Sequence, residues 1–143
     1  MPKIQPVGDF DCGCGQVGCL DTVGGARGME KLHKALCGKT LKSEEIATAW
    51  LMGEPDASTT IDIWSQILSG PLAMIVNLLG PEIVPVGGGL ANAVELISLL
   101  DAKVRERVLF PTDQALVVPA TFAKNAGLVG AAQLDVASFK GVA

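Results

Sequence analysis

Residues 82–103 read EIVPVGGGLANAVELISLLDAK, and this segment carries the signals of a strand, a turn and a helix in that order. Its first five residues form a short apolar run with β-branched side chains, which is typical of a strand. Three glycines follow and permit a tight turn. We therefore predict a strand at Glu82–Val86 and a helix at 90–103. The helix is predicted because apolar residues recur at helical spacing, at Leu90, Val94, Ile97 and Leu100.

Two helices are predicted near the N-terminus. Asp21 or Thr22 can cap a first helix that runs to about Leu36, and Gly38 would end it. Ser43 is a candidate N-cap for the second helix.

The longest helical pattern covers residues 56–79 and contains Pro71, where a bend is expected. Two further strands and a closing helix are predicted beyond residue 103, at Val104–Phe110, Ala115–Val118 and 121–135. Helices that alternate with short apolar strands predict an α/β domain with a partly parallel sheet.

The composition excludes several classes of protein. The chain has 143 residues, 49% apolar and 18% charged, which predicts one globular domain. The net charge of −4 argues against nucleic-acid binding, which needs a basic face. The longest charge-free stretch, Ile63–Pro81, contains polar residues and a Gly-Pro pair, so we predict a buried helix rather than a membrane span. The N-terminus lacks the apolar core of a secretory signal, and we expect a cytoplasmic protein with reduced thiols.

The strongest chemical signal is CGCGQVGC at residues 12–19, which contains Cys12, Cys14 and Cys19. The intervening glycines allow tight turns, so three sulfurs can converge on one ion. Thiolates at this density are typical of structural zinc, which takes four tetrahedral ligands. The alternative is an ordinary glycine-rich turn with free cysteines.

A fourth zinc ligand is missing from this cluster. A helix over residues 22–36 would place His33 about 20 Å and Cys37 about 25 Å along its axis from Cys19. We therefore expect His33 to be a surface or core residue and Cys37 to be a small buried hydrophobe.

Three motifs together resemble the ROK family of repressors, open reading frames and sugar kinases. Cys12–Asp21 is similar to the family signature Cys-x-Cys-Gly-x-x-Gly-Cys-x-Glu. Asn77–Gly89 is similar to its Asn-Leu-x-x-Pro-x-x-Ile-x-x-Gly-Gly-Gly segment, and residues 126–132 are similar to its closing Ala-Gly-Leu-x-Gly-Ala-Ala helix. The motifs occur in the family's order, and the Gly-Gln-x-Gly-Cys sequence favours the N-acetylglucosamine kinase branch.

The resemblance implies a fold and a metal. The fold would be α/β, the C-terminal lobe of an actin-like, ribonuclease-H-like ATPase, with an incomplete sheet and packed helices. Residues 1–20 would be its cysteine-rich zinc-type loop and residues 21–143 the lobe, within a single domain. The three cysteines of the loop would hold a structural zinc, which in the family an upstream histidine completes.

The resemblance also implies ligand sites. Asp21 would contact hydroxyls of a bound hexose, and Gly87, Gly88 and Gly89 would line the site of ATP, which such enzymes use with Mg²⁺. By itself a glycine triplet after a strand is also consistent with a plain tight turn. A helix that follows such a turn presents free N–H groups to anions.

The chain departs from the family pattern at several points. Asp21 stands where the family has glutamate, one methylene longer. Pro85 removes a donor from the predicted strand, which suits a sheet edge or a bulge. No position matches the family's Gly-His pair, the phosphate-binding glycine motif of the first lobe or the catalytic aspartate. We therefore assign no catalytic residue and expect negligible kinase activity from the chain alone.

The leading hypothesis is the C-terminal part of an ATP-dependent hexose or N-acetylhexosamine kinase. It would bind the sugar and ATP, with an N-terminal lobe or a second copy as partner. The alternative is a non-catalytic or regulatory sugar-binding or interaction module of the same family. Neither hypothesis includes a nucleic acid or a membrane as a partner of this chain.

Overall fold

The computed structural model describes residues 9–110, 112–122 and 127–132, which form a set of helices and two short strands. The helices are α1 (Asp21–Gly24), α2 (Ala26–Cys37), α3 (Ser43–Leu51), α4 (Pro55–Leu79) and α5 (Val94–Arg105), with a short 3₁₀ helix (Gly88–Asn92) before α5. The strands are β1 (Val84–Val86) and β2 (Val117–Pro119).

The predicted closing helix at 121–135 is observed in part. Residues 127–132 are helical, whereas 121 and 122 form a turn. Residues 123–126 and 133–135 lie outside the described residues.

The predicted first helix is in fact two helices. Gly25 is extended, with ψ 179°, so α1 ends before it and α2 begins after it. Gly28 permits the close packing of this corner, because a Cβ at that position would lie 2.5 Å from the Cα of Val23. The corner places Val23 in the core, where its carbonyl accepts a hydrogen bond from Trp64 Nε1 at 3.1 Å.

Substituting Gly28 by alanine is expected to destabilise the fold by about 1–3 kcal/mol, the usual cost of overpacking. The added methyl would meet main-chain atoms of Thr22 and Val23 at 2.5–2.7 Å, and backbone cannot rotate away as a side chain can. Urea unfolding measures the change. Gly25→Ala is the matched control, because a Cβ there meets nothing within 4 Å. Alanine favours helix by about 1 kcal/mol over glycine where its methyl has room, so increased stability of Gly28→Ala would contradict the close packing.

The observed ends of the first helices agree only partly with the ends predicted from the sequence. Gly38 ends α2 as predicted: its φ is 71°, and its N–H donates to the carbonyl of Lys34. The predicted cap at Asp21 or Thr22 was wrong, because α1 begins at Asp21 and Leu20 occupies the N-cap position.

The start of α3 lies one residue from the predicted position. The N-cap is Lys42, whose backbone N–H donates to Glu45 Oε2 at 2.7 Å. Ser43 is the first helical residue, and its N–H donates to Glu30 Oε1 on α2 at 3.1 Å. The two glutamates thereby satisfy N–H groups that the helix itself leaves unpaired.

The long helix α4 is confirmed, and it is the centre of the core. It packs against α2, α3 and α5, and Pro71 lies inside it. By length and composition alone α4 could cross a membrane, but this packing is that of a core helix. Its second half also leaves apolar side chains exposed, namely Met74, Ile75, Leu78 and Leu79.

The two strands are parallel, as predicted for this sheet, with Val84 opposite Val117. The N–H of Val84 donates to the Leu116 carbonyl at 2.6 Å, and the carbonyl of Val86 accepts from Ala120 at 2.9 Å. In a parallel strand, the backbone N–H and C=O groups of every second residue face the same neighbouring strand. The backbone of Pro85 therefore faces the outer edge of β1, where its missing N–H costs no bond to β2.

The outer edge of β2 is closed by a buried carboxylate from α5. Asp101 Oδ1 accepts hydrogen bonds from the backbone N–H groups of Leu116 (2.8 Å) and Val117 (2.9 Å). Its other oxygen, Oδ2, accepts from Arg105 Nε at 2.8 Å. Because Asp101 is 4% exposed, it anchors the sheet to α5 within the core.

The strand predicted at Val104–Phe110 was wrong. Val104 belongs to α5 and is fully buried, and the helix continues to Arg105. Val104 extends the helical spacing of Ile97 and Leu100, so it belongs to the same buried face. The third predicted strand, Ala115–Val118, is observed as β2 one or two residues later.

Candidate metal centre and ligand sites

The three cysteines of the N-terminal loop converge at one point. The Sγ atoms of Cys12, Cys14 and Cys19 all lie within 4.8 Å of one another. Cys14 and Cys19 are closest, with 3.6 Å between their sulfurs. All three are free thiols, and Cys14 is exposed. This arrangement agrees with the predicted metal cluster.

A tight hairpin produces the convergence. Asp11 and Val17 form an antiparallel bridge, and the N–H of Cys12 donates to the Gln16 carbonyl at 2.9 Å. Gly15 and Gly18 have φ values of 85° and 76°, which side chains rarely adopt. Gly15 and Gly18 are therefore required by the turn that brings the sulfurs together.

The hairpin is fixed to the helices on both sides. Phe10 is buried in the core, and its carbonyl accepts a hydrogen bond from Gly18 at 2.8 Å. On the other side, Thr22 Oγ1 donates to the Cys19 carbonyl at 2.6 Å.

The thiols affect one another's protonation. A backbone hydrogen bond from Gln16 lowers the pKa of Cys14, and its neighbouring thiols lower it further. The hydrogen bond with Cys14 raises the pKa of Cys19 to about 11. Adjacent thiolates repel each other, and a bound cation would offset that repulsion.

The cluster fits three of the four positions around zinc. Zinc–thiolate bonds of 2.3 Å in tetrahedral geometry place two sulfurs about 3.8 Å apart. The 3.6 Å between Cys14 and Cys19 is close to this value. Among the residues that the structure describes, no further histidine, cysteine, aspartate or glutamate joins the group.

The two other candidate ligands lie elsewhere: His33 is a core residue, as predicted, whereas Cys37 is only half-buried and not the buried hydrophobe that was expected. His33 is fully buried between α2 and α4, with its Nδ1 2.8 Å from Thr60 Oγ1. Thr60 itself donates to the Asp56 carbonyl, so it accepts from His33. Cys37 is half-buried and lies 3.7 Å from the same Asp56 carbonyl.

Asp21, the predicted sugar contact, follows the cysteine loop directly. It lies in the first turn of α1, two residues beyond Cys19, and it is exposed. The Thr22–Cys19 hydrogen bond fixes the loop to this turn. A metal held by the cysteines would therefore fix the position of the Asp21 carboxylate.

The glycine triplet joins β1 to the 3₁₀ helix. Gly87 is extended and Gly88 has φ 75°, so the chain turns sharply here. A Cβ at Gly89 would lie 3.2 Å from Cβ of Ala26 at the start of α2. The glycine turn thus lies against the corner between α1 and α2, and Asp21 is the first residue of α1.

A cavity beside the glycine turn was not predicted. It has a volume of about 190 Å³ and lies between α3, the 3₁₀ helix and α5. Its polar lining includes two carboxylates, Glu44 and Glu95. The spacing of residues along the sequence could not reveal the cavity, because its walls come from segments about 40 residues apart. The lining residues used below are Glu44, Ala47, Trp50, Gly89 and Glu95.

Comparison with known proteins agrees with the motifs. A family model described as "ROK family" matches residues 3–137. The N-acetyl-D-glucosamine kinase of Pasteurella multocida is 29% identical over 125 residues, covering 87% of this chain and 41% of that protein. The chain thus spans about two fifths of the length of the curated relatives it matches.

Solved structures show the same fold. A ROK family glucokinase from Streptomyces griseus, crystallised with glucose and AMPPNP, superposes with a TM-score of 0.72 at 24% identity, covering 89% of this chain and 47% of that one. A ROK family transcriptional regulator, a homologue of the E. coli MLC protein, has a TM-score of 0.57 at 27% identity, covering 74% and 29%. The predicted α/β lobe of the actin-like ATPase fold is therefore confirmed.

Proposed function

This chain belongs to the ROK family, and from that membership we propose that it is the C-terminal part of an ATP-dependent hexose or N-acetylhexosamine kinase. The observation that carries the proposal is the junction at the start of α1 and α2. There the metal loop leads directly into Asp21, and Gly89 packs against Ala26. The similar glucokinase was crystallised with a sugar and a nucleotide together, which is what such a junction would hold.

The sugar side of the proposed site depends on Asp21. An exposed carboxylate accepts hydrogen bonds from sugar hydroxyls. Aspartate is one methylene shorter than the family's glutamate, so its contact would be longer or bridged by water. The cysteine loop would hold the zinc and thereby fix this carboxylate, with the fourth zinc ligand supplied from outside the described residues.

The nucleotide side would use the glycine turn and the adjacent cavity. Glu44 and Glu95 line the cavity, and their negative charges disfavour phosphates there. The uncharged nucleoside end therefore suits the cavity, while the phosphates would lie over Gly87–Gly89. Backbone without side chains permits this close approach. Mg²⁺ would accompany the phosphates.

The complete enzyme would transfer the γ-phosphoryl group of ATP to a sugar hydroxyl. Such transfer depends on positioning, on electrostatic stabilisation and on a carboxylate that accepts the hydroxyl proton. Asp21 would position the sugar. No residue of this chain matches the family's catalytic base, and that base would come from an N-terminal lobe rather than from a second copy of the chain.

The partner would be an N-terminal lobe or a second copy of the chain. The exposed apolar side chains Met74, Leu78 and Leu79 on α4 are consistent with an interface. We place the protein in the cytoplasm, where its thiols remain reduced and its nucleotide is available. Residues 1–20 would serve as the metal loop and residues 21–143 as the ligand-binding lobe.

Filling the cavity should weaken nucleotide binding. Ala47 lines the cavity, and Ala47→Phe is expected to weaken AMPPNP binding at least about tenfold, because the ring occupies the space of the nucleoside. Titration calorimetry measures the affinity, and circular dichroism verifies the fold. Ala35→Phe on the exposed face of α2 is the matched control. Equal affinity for the two variants would place the nucleotide elsewhere.

The chain alone should not phosphorylate a sugar. With ATP, Mg²⁺ and either glucose or N-acetylglucosamine, we expect no sugar phosphate above the uncatalysed background by mass spectrometry. The Pasteurella multocida kinase serves as the positive control. Sustained product formation would contradict the assignment of the catalytic base to a partner.

A regulatory sugar-binding module is the second candidate, because a ROK transcriptional regulator shares the fold. Sugar binding that is independent of AMPPNP, combined with no nucleotide binding, would favour it over the kinase.

A further inference from the structure

The cavity between α3 and α5 has an apolar floor and a charged mouth. Leu90 is buried, and Trp50 is half-buried against the core. Glu44 and Glu95 line the same cavity and are exposed. The volume is about 190 Å³, whereas sites for whole drug-sized ligands have about 300–1,000 Å³. The cavity therefore suits one part of a ligand, and its floor suits an apolar part.

Trp50 gives the floor a flat aromatic surface. The chain has two tryptophans, and the other one, Trp64, is a core residue that is 2% exposed and bonded to the Val23 carbonyl. Trp50 lines the cavity and remains partly exposed. An aromatic side chain stacks on a nucleobase with little regard to which base it is, because every base has a π-face. Trp50 is therefore suited to hold a base without selecting it.

The other polar groups of the lining do not fix one pattern of donors and acceptors. Besides the two glutamates they are Ser43, Thr48 and Asn92. Thr48 Oγ1 already donates its proton to the Glu44 carbonyl at 2.8 Å, and Asn92 is exposed. The hydroxyl of Ser43 can rotate to donate or to accept. Because adenine and guanine differ in the donors and acceptors on their edges, this lining distinguishes them weakly.

The two carboxylates at the mouth suit the sugar of a nucleoside. Gly89 also lines the cavity, so phosphates over the glycine turn and a base on Trp50 would place the ribose at the mouth. A carboxylate can only accept hydrogen bonds, and the 2′- and 3′-hydroxyls of ribose can donate them. Hydrogen bonds to an ionised acceptor are stronger than those between neutral groups. Glu44 and Glu95 can therefore distinguish ribose from a sugar that lacks these hydroxyls.

We propose that the cavity selects the ribose of a purine nucleotide and accepts either purine base. Trp50 stacks on the base, and Glu44 and Glu95 accept hydrogen bonds from the 2′- and 3′-hydroxyls. This inference rests on the proposed nucleotide site and adds which parts of the nucleotide that site recognises. It makes GTP as well as ATP a phosphoryl donor that this chain can bind.

Titration with uncharged nucleosides tests the inference without any contribution from the phosphates. Tryptophan fluorescence is the readout, because Trp50 lines the cavity and Trp64 is enclosed in the core. We expect adenosine and guanosine to quench the fluorescence with affinities that agree within about threefold. We expect 2′,3′-dideoxyadenosine to bind at least about tenfold more weakly than adenosine, because it offers the carboxylates no hydroxyl.

Variants separate the two contacts, with calorimetry as the readout and circular dichroism to verify the fold. Trp50→Leu should weaken adenosine and guanosine alike at least about fivefold, whereas Trp50→Phe should retain the affinity for both. The double variant Glu44→Ala/Glu95→Ala should bind adenosine and 2′,3′-dideoxyadenosine with affinities within about twofold of each other. Glu106→Ala is the matched control, because Glu106 is exposed and does not line the cavity, and it should keep the preference for ribose.

Four results would overturn the inference. They are the absence of nucleoside binding, equal affinities for adenosine and its dideoxy analogue, unchanged affinity in Trp50→Leu, and a guanosine preference above about tenfold. The last would show that the carboxylates bind the N1–H and 2-amino groups of guanine rather than the ribose. The proposed function is judged by a different comparison. AMPPNP that binds no more tightly than adenosine would contradict phosphate binding at the glycine turn, while the nucleoside results would still support the inference.

Discussion

Substituting Cys14 by serine is expected to lower the zinc affinity of the chain more than about 100-fold. Loss of a partner that merely orients a ligand costs 10–100-fold, and Cys14 would be a ligand itself. Serine offers a neutral hydroxyl in place of a thiolate, so the ion keeps two strong donors. Competition with a zinc-sensitive fluorescent chelator measures the affinity. Hydrogen exchange of residues 9–20 should rise in parallel, because zinc would no longer fix the hairpin.

Cys37→Ser is the matched control for this measurement of zinc affinity. Cys37 lies against α4, near the Asp56 carbonyl and Thr60, and it should not change the zinc affinity. Equal affinities for zinc in Cys14→Ser and in the unaltered chain would show that the converging sulfurs do not bind the ion.

Asp101→Ala should destabilise the domain by about 4 kcal/mol. The substitution leaves two buried backbone N–H groups without an acceptor, those of Leu116 and Val117, and each such loss costs about 1–3 kcal/mol. It also removes the partner of Arg105. Urea denaturation followed by circular dichroism measures the change, and hydrogen exchange at β2 locates it.

Two further variants separate these contributions. Asp101→Asn keeps an oxygen for the two N–H groups and loses the ion pair with Arg105, so it should cost clearly less than alanine. Asp62→Ala removes the exposed ion pair with Lys103, which is worth less than about 1 kcal/mol. If Asp101→Ala is no more destabilising than Asp62→Ala, the carboxylate does not hold the sheet to α5.

Local sequence signals predicted the fold where one segment determines its own structure. The apolar spacing of α4 and the glycine that ends α2 were confirmed. The partly parallel sheet was predicted only as a type, and the sequence did not indicate which strands pair. The strand predicted at Val104–Phe110 failed because an apolar run cannot by itself be distinguished from the buried face of a helix. The break at Gly25 was missed because it depends on the packing of Gly28 against Val23, which spacing does not encode.

The same distinction applies to the candidate site. The cysteine cluster was predicted because its three donors lie within eight residues and the intervening glycines require a turn. The cavity between α3 and α5 was missed, since its walls meet only through tertiary packing. The hydrogen bonds from the edge of β2 to Asp101 were also missed, because a lone aspartate in a helix gives no indication that it is a buried acceptor.

The outward-facing Pro85 has a consequence for self-assembly. Suppose that the β1 strands of two copies paired antiparallel and symmetrically about Pro85. The two prolines would then lie opposite each other, and this central pair could form no hydrogen bond. The opposite side of the sheet is blocked, because Asp101 already accepts its N–H groups. Fibrillar stacking through this sheet is therefore disfavoured, whereas the Pro85 carbonyl still offers an acceptor to an unlike strand.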